Sequence, residues 1–118
     1  MRADGGLRVD ERISEEDMQH LHAFPHERKA TLMERIAAHE ANKAVRLVGR
    51  DHFERTLARL RRDGFVLVDV QRQEISFACV WYRETKSLFN GAGADVAMLL
   101  WEMQEERGTE TTVLTWRI

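Results

Sequence analysis

The chain has 118 residues, 43% hydrophobic and 32% charged, with a single proline. This composition fits about one globular domain and excludes disordered and collagen-like classes. A net charge of −2 and a pI near 6.2 give no strongly basic nucleic-acid footprint over the whole chain. The longest apolar run falls far short of the roughly 20 residues that span a bilayer, and "MRADGGLRVDER" has no hydrophobic signal core. No membrane partner is therefore expected, and the expected location is the cytoplasm. Cys79 is the only cysteine, so no intramolecular disulfide forms and a reducing compartment fits.

The charge is unevenly spread. Residues 43 to 63 carry seven basic side chains against three acidic ones, whereas the segments before and after each sum to −3. Fifteen of the eighteen basic residues are arginine, a bias common in GC-rich genomes that also suits carboxylate and phosphate binding.

In chain order, residues 1 to 12 have adjacent glycines and little apolar content and are expected to be disordered. Ser14 followed by Glu15, Glu16 and Asp17 reads as an N-cap with acids in the first turn, predicting a helix over 15–23 that ends before Pro25. Met33, Ala37, Ala41, Ala44, Val45 and Val48 recur at helical spacing, with Leu32 and Ile36 widening the stripe. They predict a second helix over 26–48, with Asn42 as a point where it could break and Gly49 as C-cap. Asp51 is the expected N-cap of a third helix over 52–63, with Phe53, Leu57 and Leu60 as its apolar line and Gly64 as its end.

"FVLVDV" reads as a strand. "ISFACVWY" reads as a second, placing Ile75, Phe77, Cys79 and Trp81 on one face and Ser76, Ala78, Val80 and Tyr82 on the other. "QRQE" is the hairpin loop between them. "DVAMLLWEMQEERG" reads as a fourth helix capped by Asp95, and "TTVLTWRI" as a closing strand. The expected fold is α+β: N-terminal helices followed by a β-β-α-β unit that forms a small, mainly antiparallel sheet, in one domain over 13–118.

Catalysis finds no positive signal, so the protein is expected not to be an enzyme. His20 and His22 are two apart on a helix and point about 200° from one another, and neither "HE" pair continues to a second histidine, so no metal site is expected. "NGAGAD" lacks both the third glycine of a dinucleotide fingerprint and the Gly-Lys-Ser/Thr of a P-loop, and Asp95 places a negative charge where a phosphate would sit. No cofactor is expected. Cys79 sits mid-strand between Ala78 and Val80, as a small buried hydrophobe does.

Two leads concern binding. Arg55, Arg59 and Arg62 form an i, i+4, i+7 ladder away from the Phe53–Leu57–Leu60 line, suited to an acidic partner or to successive phosphates, and equally open to solvation. "LARLRRDGFVLVDV" resembles the exit of a winged-helix recognition helix into its wing, over residues 44 to 82. That resemblance implies a DNA-binding transcriptional regulator, the alternative reading. Trp81 and Tyr82 point to opposite sheet faces, and a chain this small is expected to leave one face available, where either aromatic could anchor a partner; Trp101 and Trp116 are expected to fill the core. The favoured expectation is a small regulator or inhibitor, including one carried by a mobile element. It would act by protein–protein association through a sheet face or edge strand, homodimerisation included.

Overall fold

The structure, a computed structural model, describes residues 12–87, 91–106 and 108–118. All of the segment expected to be disordered except Arg12 lies outside the described residues, as does Asn90 of the glycine-rich turn. The element order is α1 (Glu15–Ala23), α2 (His26–Ala38), β1 (Lys43–Val48), α3 (Arg50–Arg62), β2 (Val66–Arg72), β3 (Ser76–Ser87), β4 (Gly91–Gln104) and β5 (Gly108–Arg117). The strands make one sheet in the order β1-β5-β4-β3-β2, antiparallel throughout. The α+β class, with N-terminal helices leading into an antiparallel sheet, is as the sequence predicts.

α1 starts where expected. The Ser14 side chain accepts from the Asp17 amide and the Asp17 side chain accepts from the Ser14 amide, each at 3.0 Å, a complete capping box. The second helix is shorter than expected: α2 stops at Ala38 and residues 43–48 form an edge strand. Asn42 marks the change, because its amide donates to the Thr115 carbonyl and its side-chain oxygen accepts from the Arg117 amide, both at 2.6 Å. Beyond it Lys43, Val45 and Leu47 share one face and Ala44, Arg46 and Val48 the other, the period-2 pattern of a strand. Gly49, expected as a C-cap, instead precedes α3 with φ +102°, a left-handed conformation that glycine adopts without a Cβ penalty. A strand at 43–48 also removes the first helix of any helix-turn-helix, so the winged-helix resemblance does not hold at the level of elements.

The expected fourth helix is the strand β4. It lies in the middle of the sheet, and Ala94, Val96, Ala97, Leu99 and Trp101 along it are all buried, some on each face. A strand covered on both sides is a near-continuous apolar run, which periodicity alone does not separate from a buried helix.

Helices lie on both faces, so no whole face is left free as expected for so small a chain. On one face α3 brings Phe53, Leu57 and Leu60, and the α1 end brings Ile13, against Leu67, Phe77, Cys79, Trp81, Leu99 and Trp101. On the other, Leu32 and Ile36 of α2 pack on Val68, Val80, Val96 and Trp116. The β2–β3 register slips between Leu67 and Asp69, a bulge that buries Leu67 on the first face and Val68 on the second. β3 alternates as predicted from Phe77 to Tyr82, but Ile75 lies in the turn before it and is 63% exposed. Because every neighbouring pair is antiparallel, β1 and β2 at opposite edges run the same way, and α3 carries the chain back across the first face between them.

Candidate functional site

α3 is divided sharply by its 3.6-residue period. Phe53, Thr56, Leu57 and Leu60 are buried against the sheet, while Arg55, Arg59 and Arg62 are exposed. The three arginines do not project into open solvent as a bare ridge. They form one wall of a groove of about 710 Å³ between α3 and the β1 side of the sheet. Val45 and Leu47 of β1, with Val113 and Thr115 of β5, make its floor, and Lys43 adds a further cation. His52, Thr56 and Ala58 complete the α3 wall.

No acid lines this groove. Among the described residues the side chains of Lys43, Arg59 and Arg62 make no ion pair or hydrogen bond. Arg55 donates to His52 Nδ1 at 3.0 Å, and since a guanidinium has no acceptor the imidazole nitrogen must be the acceptor. Of the other arginines of the basic segment, Arg46, on the opposite face of β1, pairs with Glu110 at 3.3 Å, Arg61 turns to Asp17 of α1, and Arg50 is exposed at the start of α3. The ladder spans about 10 Å of helix, so its positive charge is concentrated along one side of the groove. Lys43 and the β1 floor escaped sequence reasoning because that segment read as helix.

A second charged cluster adjoins the groove through Thr115. Asp95, expected as a helix cap, accepts from Arg83 at 2.7 Å and from Arg117 at 3.2 Å. Burial on its own pushes its carboxyl up, but the hydrogen bonds and charges of Arg83 and Arg117 outweigh that and hold it below the ordinary 3.8. Arg83 also donates to the Asp63 carbonyl at 2.9 Å, tying the end of α3 to β3.

The aromatic lead is corrected at Trp81. Trp81 is fully buried, and its indole N–H donates to Cys79 Sγ at 3.1 Å, so it is a core residue and presents nothing to a partner. Tyr82 is half-buried on the opposite face, edge-on to Phe24 with centroids 5.4 Å apart. Arg28 lies over both rings and donates to the Tyr82 hydroxyl and to Glu84, each at 3.1 Å, filling the ring surface that an anchor would offer. Trp101 and Trp116 are each 8% exposed, in the core as expected.

Cys79 is buried and its thiol is pushed up to about 12, mainly by burial. His20 and His22 are exposed on α1, and among the described residues no group of three His, Cys, Asp or Glu side chains is placed to hold a metal ion. Among the same residues no helix is long and apolar enough to cross a membrane. No family model, curated protein or solved structure matches the chain.

Proposed function

We propose that this protein is a small cytoplasmic binding module that captures an acidic stretch of another protein in the α3–β1 groove, as a regulator or inhibitor with no chemistry of its own. The observation that carries this reading is the convergence of Lys43, Arg55, Arg59 and Arg62 on an apolar floor with no lining acid. Cations of this kind steer an acidic partner and set its register, while Val45 and Leu47 supply apolar area for it to cover.

Nucleic acid is the second reading, favoured by the regular arginine spacing, which suits successive phosphates. The groove has no Phe, Tyr or Trp side chain on which a base could stack, and the net charge of −2 opposes long-range attraction to a polyanion. The lack of a large stacking platform favours the acidic polypeptide.

The test is fluorescence anisotropy with a labelled ten-residue peptide of alternating glutamate and valine, against a short labelled duplex DNA, at low and physiological salt. The peptide is expected to bind, to weaken with salt, and to lose about tenfold in affinity in the Arg59→Ala, Arg62→Ala double variant. Absence of peptide binding at low salt, or binding indifferent to both substitutions, would overturn the reading. Tighter binding of the duplex would transfer the site to nucleic acid.

A further inference from the structure

The two sheet edges are unlike. β2 is guarded by its bulge, by α1 packed alongside, and by the Lys29–Asp69 ion pair at 2.8 Å. β1 has regular pairing on one side over Lys43–Val48, and among the described residues no strand pairs with its outer side.

The register determines which backbone groups of β1 are open. The Gly49 amide donates to the Thr109 carbonyl at 2.9 Å, and antiparallel pairing alternates from there. Leu47, Val45 and Lys43 therefore turn their N–H and C=O groups toward β5. Ala44, Arg46 and Val48 turn theirs outward. The side chains alternate in the same rhythm, with Lys43, Val45 and Leu47 facing the groove.

We infer that the acidic segment binds as a sixth strand on β1, hydrogen-bonded to the backbone of Ala44, Arg46 and Val48, with an acid at every second position turned toward α3. This rests on the reading of the groove as an acid-binding site. Successive same-face residues of an added strand are about 6.6 Å apart, and Arg55 and Arg59, four apart on the helix, rise about 6 Å, so two alternate acids stay in step with that pair. α3 runs back along the sheet from the end of β1, which sets Arg55 toward the Leu47 end and Arg62 toward the Lys43 end. On the opposite face the added strand meets Ala44, Arg46 with its Glu110 pair, and the 65%-exposed Val48, which suits small or β-branched residues beside Ala44 and Val48.

A second copy of this chain is the poorer occupant. Antiparallel pairing of two β1 strands about a two-fold axis would bring the Lys43 and arginine sets of both copies together, and like charges so placed oppose pairing. Strand addition by a peptide of opposite charge meets no such opposition.

The experiment uses the alternating glutamate–valine peptide, unmodified and N-methylated at every second residue in either register, with amide hydrogen exchange of the full chain read by NMR. Ala44, Arg46 and Val48 amides are expected to exchange at least about tenfold more slowly with the unmodified peptide, because strand pairing sequesters them. Methylation in one register should abolish binding, and methylation in the other should leave it. Ala44→Pro removes an outward N–H without touching the β5 ladder and should weaken binding about tenfold. If the peptide binds in a salt-dependent way while these amides exchange as in the free protein, or both methylated peptides bind alike, strand addition is overturned and the basic groove stands. If the unmodified peptide does not bind, the groove reading fails and takes the inference with it.

Discussion

Arg61 of α3 holds Asp17 of α1 in a two-pronged pair, with Nη2 2.6 Å and Nε 3.0 Å from the same carboxylate oxygen. Asp17 is 4% exposed and also closes the α1 capping box, and Arg61 further donates to the Arg12 carbonyl at 2.8 Å. One carboxylate therefore fixes the start of α1 and its position against α3. Asp17→Ala removes the cap and leaves the Arg61 charge without its partner. Because Arg61 keeps partial access to water, the expected loss is about 2–3 kcal/mol, at the lower end for a broken buried pair. Urea unfolding should show a lower midpoint at unchanged slope; a midpoint within error of the parent protein would contradict the assignment.

Trp81 separates core from contact surface. It is fully buried between Cys79 and the Arg61 guanidinium, whose carbon lies 5.9 Å from the ring centre. Trp81→Ala is expected to cost about 3–5 kcal/mol of stability, as a large cavity in a packed core does. A variant of normal stability that binds the acidic peptide more weakly would restore Trp81 as a partner anchor.

Cys79 should be inert in the folded protein. Burial pushes its thiol up to about 12, the Trp81 hydrogen bond and Arg61 lower it by less, and Asp17 adds to the rise. The thiolate is the reacting form, so labelling with an aromatic disulfide reagent at mildly alkaline pH should be slow in native buffer and fast in urea. Rapid stoichiometric labelling of the native protein would show that the sheet opens readily at β3.

Asp95 gives the acid dependence of stability its sign. Its folded pKa lies below the ordinary 3.8, so its contribution is fully present above that value and is lost as the pH falls through the folded value. Asp95→Asn should therefore be less stable than the parent at neutral pH, and the gap should narrow as the pH drops below about 4. Thermal unfolding measured across that range checks it, and a gap that stays constant into acid would count against the Arg83–Asp95–Arg117 cluster as its source.

The legible parts of the sequence were those with one decisive signal. Ser14 with Asp17 marked α1, and Phe53, Leu57 and Leu60 against Arg55, Arg59 and Arg62 marked both faces of α3. The alternation from Phe77 to Tyr82 marked β3. Two strands were misread for different physical reasons. In β4 the sheet buries both faces, and Ala, Met, Leu and Trp then satisfy a helical and a strand period together. In β1 the alternation runs for only six residues, four residues after an alanine-rich helix, so Ala44 and Val48 extended the preceding stripe. The arginine ladder was visible from local spacing, but its groove was not. The floor comes from β1 and β5, which only the tertiary fold brings under α3.

The most direct test of the central claim is an amide chemical-shift map of the full chain titrated with the alternating glutamate–valine peptide. Capture in the α3–β1 groove predicts one contiguous set of shifts at residues 43–48, along the exposed side of α3 from His52 to Arg62, and at Val113 and Thr115. Shifts centred instead on the Phe24–Arg28–Tyr82 side of the sheet, with the α3 groove silent, would contradict it.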